Sequence, residues 1–243
     1  MNKINIFRFS MFRLSIIILF TLLISVNIIN TYTGKPTISN SLILFWDIHC
    51  KNSIIKYLNS NNISYKIVDY KDYNGIILKV GSNYYCLMNK HPQQYTHISI
   101  LLNAISELCI SLQVTSLIGI STAGSNNYKI GHVLQFNSAV IQNYKKYSLA
   151  SNYTEGNKIL FKSSNFINEP IIDTKGFINP NSYKSAAGED EFVVYLVSNS
   201  LNIPSLTLTG ISDHNNNNVY TGGGGQLAAE NTIIFLSDNF NLI

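Results

Sequence analysis

The sequence predicts an α/β fold, with a central mixed, mostly parallel sheet covered by helices on both faces. Three observations carry the prediction. Short runs rich in β-branched and aromatic residues alternate along the chain with segments of helical periodicity. Strands separated by helices form a largely parallel sheet that is buried on both sides. Beyond residue 30 roughly 210 residues remain, the size of one large domain with a substantial core.

The chain opens with a segment of another kind. Residues 1–30 hold no acidic side chain, carry Lys3, Arg8 and Arg13, and then run apolar from Leu14 to Ile29, interrupted only by Ser15, Thr21, Ser25 and Asn27. A basic start followed by a hydrophobic stretch reads as a signal peptide. The stretch, about 16 residues, falls short of the roughly 20 that a spanning helix needs, which favours a cleaved signal over a signal anchor. In either case the positive-inside rule sends the rest of the chain across the membrane. The expected location is therefore the secretory pathway, lumenal or extracellular, with membrane contact confined to the N-terminal segment. Residues 31–243 are read as a single domain.

Within that domain, Ser41 to Ile48 reads as a buried first strand and Ser53 to Leu58 as a helix. Runs at 64–70, 76–80 and 84–89, separated by Asn74-Gly75 and by Gly81-Ser82-Asn83, read as a meander. Ile98, Leu101, Leu102, Ile105, Leu108 and Cys109 recur at helical spacing and predict a helix lying on a sheet. Val114 to Ser121 predicts a strand ending in the turn Ser121-Thr122-Ala123-Gly124-Ser125, and His132 to Ile141 predicts another strand. Residues 144–187 are polar and irregular and predict no clear element. Glu189 to Leu201 predicts a helix, Pro204 to Ile211 a strand, and Gln226 to Phe240 a closing helix. Asn215 to Asn218 and Gly222 to Gly225 read as a low-complexity loop.

Charge excludes one class of function. Without the three N-terminal cations, the 17 Lys and Arg fall to 14, set against 13 Asp and Glu, so the domain is nearly neutral. It offers no basic footprint for nucleic acid. Cys50, Cys86 and Cys109 are too few and too unevenly spaced for a metal site and allow at most one disulfide; Cys109, on an apolar helix face, reads as a buried free thiol. His91, His97, His132 and His214 are scattered and lack metal-ligand spacing. Asn62-Ile63-Ser64 and Asn152-Tyr153-Thr154 are weak glycosylation signals in so Asn-rich a chain.

In open α/β sheets, ligands gather beyond the carboxyl ends of strands. Two such ends carry polar groups: Ser121-Thr122-Ala123-Gly124, and Ser212-Asp213-His214 after Ile211. In combination with Lys129-Ile130-Gly131-His132-Val133, the run Asp190 through Asn202-Ile203-Pro204 to Ile211-Ser212-Asp213, and Leu227-Ala228-Ala229-Glu230-Asn231, they cover about a third of the chain. This set resembles the nucleoside phosphorylase and nucleosidase superfamily. The Gly-rich run before the last helix, together with a signal sequence, is similar to exported plant bark-storage members.

The resemblance implies the phosphorylase/hydrolase-like three-layer fold and cleavage of a nucleoside N-ribosyl bond. It implies that Asp213 is the general acid toward a purine base, and that Glu189 and Asp190 stand where the superfamily holds the ribose hydroxyls. Glu191 takes that role only if the register slips by one. Ser121, Thr122 and Gly124 then face the phosphate or the attacking water, and His214 is a minor candidate for base contact. No cofactor or metal is implied, and inorganic phosphate is the alternative co-substrate. Members of the superfamily commonly form homo-oligomers.

Four departures bear on the activity. Arg occurs only at positions 8 and 13, so the domain lacks the Arg forks with which phosphorylases grip phosphate; Lys90 or Lys129 offers only a point charge. This favours water over phosphate. The first strand ends in Leu44-Phe45-Trp46-Asp47, with Ser53 near the place of the hydrolases' water-activating Glu, and Asp47 reads as a poor substitute. The segment between Gly131 and Glu189 is short where members place base-stacking residues. His132 stands where a structural Asp is usual. The rival expectation is a secreted storage or nucleoside-binding protein that keeps the fold without turnover.

Overall fold

The computed structural model describes residues 35–68, 75–142, 153–174, 186–188, 190–214 and 216–242. The chain divides into Met1–Pro36 and Thr37–Ile243, and the fold lies within the second unit. Residues 1–30, expected to form a signal segment, fall outside the described residues, as do Glu189 and Asn152. No helix among the described residues is long and apolar enough to cross a membrane.

Thirteen strands and five helices are described, in the order β1 (Thr37–Ile38), β2 (Ser41–Phe45), α1 (Ile48–Ser60), β3 (Lys66–Val68), β4 (Gly75–Val80), β5 (Asn83–Met88), α2 (Ile98–Ser111), β6 (Ser116–Gly124), β7 (Val133–Phe136), β8 (Ser138–Gln142), β9 (Tyr153–Glu155), β10 (Ile171–Thr174), β11 (Ala187–Gly188), α3 (Glu191–Leu201), β12 (Ser205–Asp213), the single turn α4 (Asn217–Val219), α5 (Gly225–Asn239) and β13 (Asn241–Leu242). The sheet is mixed, and its central strands β5, β2, β6 and β12 are parallel. The expected meander is present as the antiparallel β3-β4-β5 edge. Beyond β12 the pairing passes to β7, crosses Asn137 into β8, continues to β10 and β11, and returns to β6 at Gly124. The far half of the sheet thus curls back on its own centre.

Alternation along the central strands feeds two cores. In β2, Leu42 and Leu44 face one side while Ile43 and Phe45 face the other, and all four are fully buried or nearly so. The first side is covered by α2 and α3 through Leu101, Ile105, Phe192 and Val193; the second by α1 and α5 through Ile54, Leu58, Ile233 and Leu236. Strands with no polar face belong to sheets covered on both sides, as the sequence predicts.

Several boundaries differ from expectation. The helix expected from Ser53 begins at Ile48, because Asp47 caps it by accepting the N–H of His49 at 2.7 Å. The first strand stops at Phe45 for the same reason. Ser121 to Gly124 are not a turn: they pair with Thr209 to Asp213 and extend β6. The strand expected over His132 to Ile141 is broken at Asn137 into β7 and β8. The low-complexity loop holds the turn α4 and a wide π-type turn, Tyr220–Gly224, that runs into α5. All three cysteines are buried thiols outside any disulfide.

Candidate functional site

Because β2, β6 and β12 are parallel, their carboxyl ends share one edge of the sheet, and a cavity of about 440 Å³ opens there. Asp47 beyond β2, Thr122 to Gly124 in β6, Asp190 before α3, Ser212 and Asp213 in β12, and Tyr220 line it. Three carboxyl groups from three separate stretches of chain therefore meet one pocket, in the size range of small-molecule sites.

Asp213 is aimed by a bulge. Ile211 pairs with Ala123 and Asp213 with Gly124, so Ser212 is the extra residue. A bulge of this kind re-aims the side chains beside it. The Ser212 hydroxyl donates to the Asp213 carboxylate at 2.7 Å, and Asp213 also accepts the N–H of Asn216 at 2.8 Å. Each carboxyl oxygen accepts one bond, which uses two of roughly four acceptor sites and leaves capacity toward the cavity. Asp213 is 2% exposed.

Asp47 has three donors. One oxygen caps α1, and the other accepts from Thr122 Oγ1 at 2.8 Å and from the Tyr220 hydroxyl at 2.7 Å. Burial, and then the charge of Asp47, pushes the Tyr220 phenol well above its ordinary range. The same cause, burial first and then Asp47 and Asp190, raises the Cys50 thiol beneath them. Tyr220 reaches the cavity because the π-type turn brings it there: its ring meets His49 edge-on at 5.4 Å, and a Cβ on Gly225 would lie 2.7 Å from it. A Cβ on Gly224 would lie 2.0 Å from the carbonyl oxygen of Ser212, so two of the four consecutive glycines are required by close approach. Gly222 has nothing within 4 Å.

The structure sorts the residues expected from sequence. Asp213, Asp190, Ser121, Thr122 and Gly124 all line the cavity. Asp190 is the N-cap residue of α3, yet its side chain makes no capping bond. Glu191 does not line the cavity. It is 2% exposed, and one of its oxygens accepts from the hydroxyls of Ser121 and of Thr209, the latter at 2.7 Å. The Ser121 proton is thereby committed to Glu191 and the Thr122 proton to Asp47. His214 does not line the cavity either, since its ring is bonded to the Ser125 carbonyl. Ser53 is buried and accepts from Gln226, away from the cavity. Lys90 and Lys129 are exposed and are not part of the lining, and His132 is exposed as well.

Sequence reasoning missed Tyr220, Trp46, His91 and Thr174 as lining residues and undervalued Asp47. Trp46 donates its indole N–H to the carbonyl of Lys90 at 3.1 Å, which fixes that wall. Among the described residues no group of three or more His, Cys, Asp or Glu is placed to hold a metal ion.

No protein-family model matches the chain, and no curated protein matches it in sequence. Solved structures do match. The 5'-methylthioadenosine/S-adenosylhomocysteine nucleosidase of Helicobacter pylori, bound to butyl-thio-DADMe-Immucillin-A, matches with a TM-score of 0.61 at 13% identity over 82% of this chain and 96% of that one. The futalosine hydrolase of Helicobacter pylori matches at 0.61 and 13% identity over 81% and 95%. The corresponding nucleosidase of S. pneumoniae, with the transition-state inhibitor MT-ImmA, matches at 0.60 and 14% identity over 81% and 96%. The α/β fold described above is the fold of these proteins.

Proposed function

We propose that the protein hydrolyses the N-ribosyl bond of a nucleoside. The observation that carries this reading is the convergence of Asp47, Asp190 and Asp213 on one cavity at the carboxyl ends of β2, β6 and β12. Cleavage proceeds through a cation-like ribose, so carboxylates around the sugar favour the transition state over the neutral ground state. Asp213, in its protonated form, gives its proton to the departing base as the bond to the sugar breaks and the base takes the electron pair. Asp190 accepts hydrogen bonds from the ribose hydroxyls. Water adds to the sugar carbon and passes its proton to the Asp47 carboxylate, beside Thr122. The domain holds no Arg to clamp phosphate, which favours water as the acceptor. The work is done outside the cytosol, as the N-terminal segment suggests.

One observation favours a second reading, a secreted storage or nucleoside-binding protein. Every carboxyl oxygen of Asp47 and Asp213 already accepts an internal hydrogen bond. The test is Asp213→Asn, which keeps size and an acceptor for the Asn216 N–H, turns its amide toward the Ser212 hydroxyl, and cannot supply the proton. Turnover should fall by about 100-fold or more with nucleoside affinity retained. Equal turnover in variant and wild type refutes the mechanism, and binding without product in the wild type establishes the second reading.

A further inference from the structure

Beneath the cavity floor lies a pair of buried carboxyl groups that the proposed chemistry leaves unused. Asp173, in β10, is 0% exposed, and Glu191, which opens α3, is 2% exposed. One Asp173 oxygen accepts the N–H of Phe192 at 2.7 Å and so caps α3 from outside, in place of the Asp190 side chain. The other Asp173 oxygen meets no donor and faces Glu191. Glu191 spends one oxygen on Ser121 and Thr209, and the other lies where a Cβ on Gly188 would come within 2.4 Å. The further ionisable groups facing the pair are Asp190 and the Tyr195 phenol, neither of them a cation. The surrounding elements β6, β8, β10, β11, α3 and β12 carry no Lys, Arg or His.

Two facing carboxylates cannot both stay ionised in a buried place without a counter-ion. Glu191 is already held as an acceptor by two hydroxyls, so the proton belongs on the free oxygen of Asp173. Burial, and then the charge of Glu191, raises the Asp173 carboxyl well above its ordinary range.

We propose that Asp173 is a positioning residue: it keeps a proton at neutral pH, donates it to Glu191, and by this bond clamps the start of α3 so that Asp190 faces the cavity. The shared proton stands on the packing alone, whereas its service to ribose binding rests on the nucleosidase reading.

The test uses the whole protein. Infrared spectra at neutral pH should show a protonated-carboxyl stretch that is lost in Asp173→Asn and in Glu191→Gln. Above the ordinary Asp value of 3.8 the unfolded chain lacks this proton and the folded chain keeps it. The stabilisation is therefore complete below that value and is lost as pH rises through the raised one. In Asp173→Asn the amide donates permanently, so its melting temperature should gain on the wild type as pH rises from about 5 to 8. The wild-type KM for a nucleoside should rise only above the pH at which the carboxyl band disappears, while that of Asp173→Asn stays level. A spectrum without the band, or a variant that follows the wild type's pH course in melting or in KM, overturns the proposal. If no nucleoside is cleaved, the nucleosidase reading fails, and the band and the melting comparison still decide whether the proton is shared.

Discussion

The three carboxyl groups at the cavity differ in what holds them, and this sets what each can do. Asp213 keeps acceptor capacity toward the cavity; Asp47 is tied by three donors; Asp190 is the N-cap residue that leaves its capping bond unmade. Cap residues usually bond to the first turn of their helix. Here Asp173 supplies that bond, and Asp190 lines the cavity. The cysteines mark the opposite case. Burial pushes the Cys109 thiol up to about 12, with nearby Cys86 adding to the shift, and raises Cys50 well above its ordinary value as well. Thiol reagents act on the thiolate, so the native protein should resist alkylation at pH 8 and the denatured chain should react at all three sites. Rapid labelling of the native protein at Cys50 contradicts the burial beneath Asp47.

At the scale of elements, the site depends on how closely α5 approaches β12. A Cβ on Gly210 would lie 2.4 Å from the carbonyl oxygen of Ala228 and 2.6 Å from Thr232 Oγ1. Gly210→Ala should therefore destabilise the fold by about 1–3 kcal/mol through overpacking, while Gly222→Ala, with open space around it, should leave the melting temperature unchanged. Equal melting for the two variants contradicts this packing. The same elements show what the sequence carried and what it did not. Thr122, Asp190 and Asp213 were legible as candidates only through the resemblance that their segments carry in combination; taken alone, each is ordinary turn or helix-end chemistry. Ser121 to Gly124 read as a turn because small polar residues usually make turns, and only the partner β12 draws them into a strand. Tyr220 and Asp47 are 173 residues apart and meet through a turn that composition renders as featureless. Glu191 turns inward because Ser121 and Thr209 offer it hydroxyls, a choice made by tertiary neighbours that local sequence does not encode.

For the whole molecule, the balance of charge supports the proposed choice of water over phosphate. A phosphorolytic site needs cations to hold a dianion, and the 243-residue chain places its only two Arg at positions 8 and 13, outside the described residues. Among the described residues no Lys lines the cavity, while Asp47, Asp190 and Asp213 do. Such a pocket repels phosphate and favours a cation-like sugar. The likeness to nucleosidase structures is one of fold. The most direct measurement is release of free base by the purified protein from a panel of adenosine, inosine, guanosine, uridine and methylthioadenosine, with and without inorganic phosphate. The account predicts base and free ribose, or its 5'-substituted form, in phosphate-free buffer, at a rate that phosphate does not raise. Release that requires phosphate, or none from any nucleoside under either condition, contradicts it.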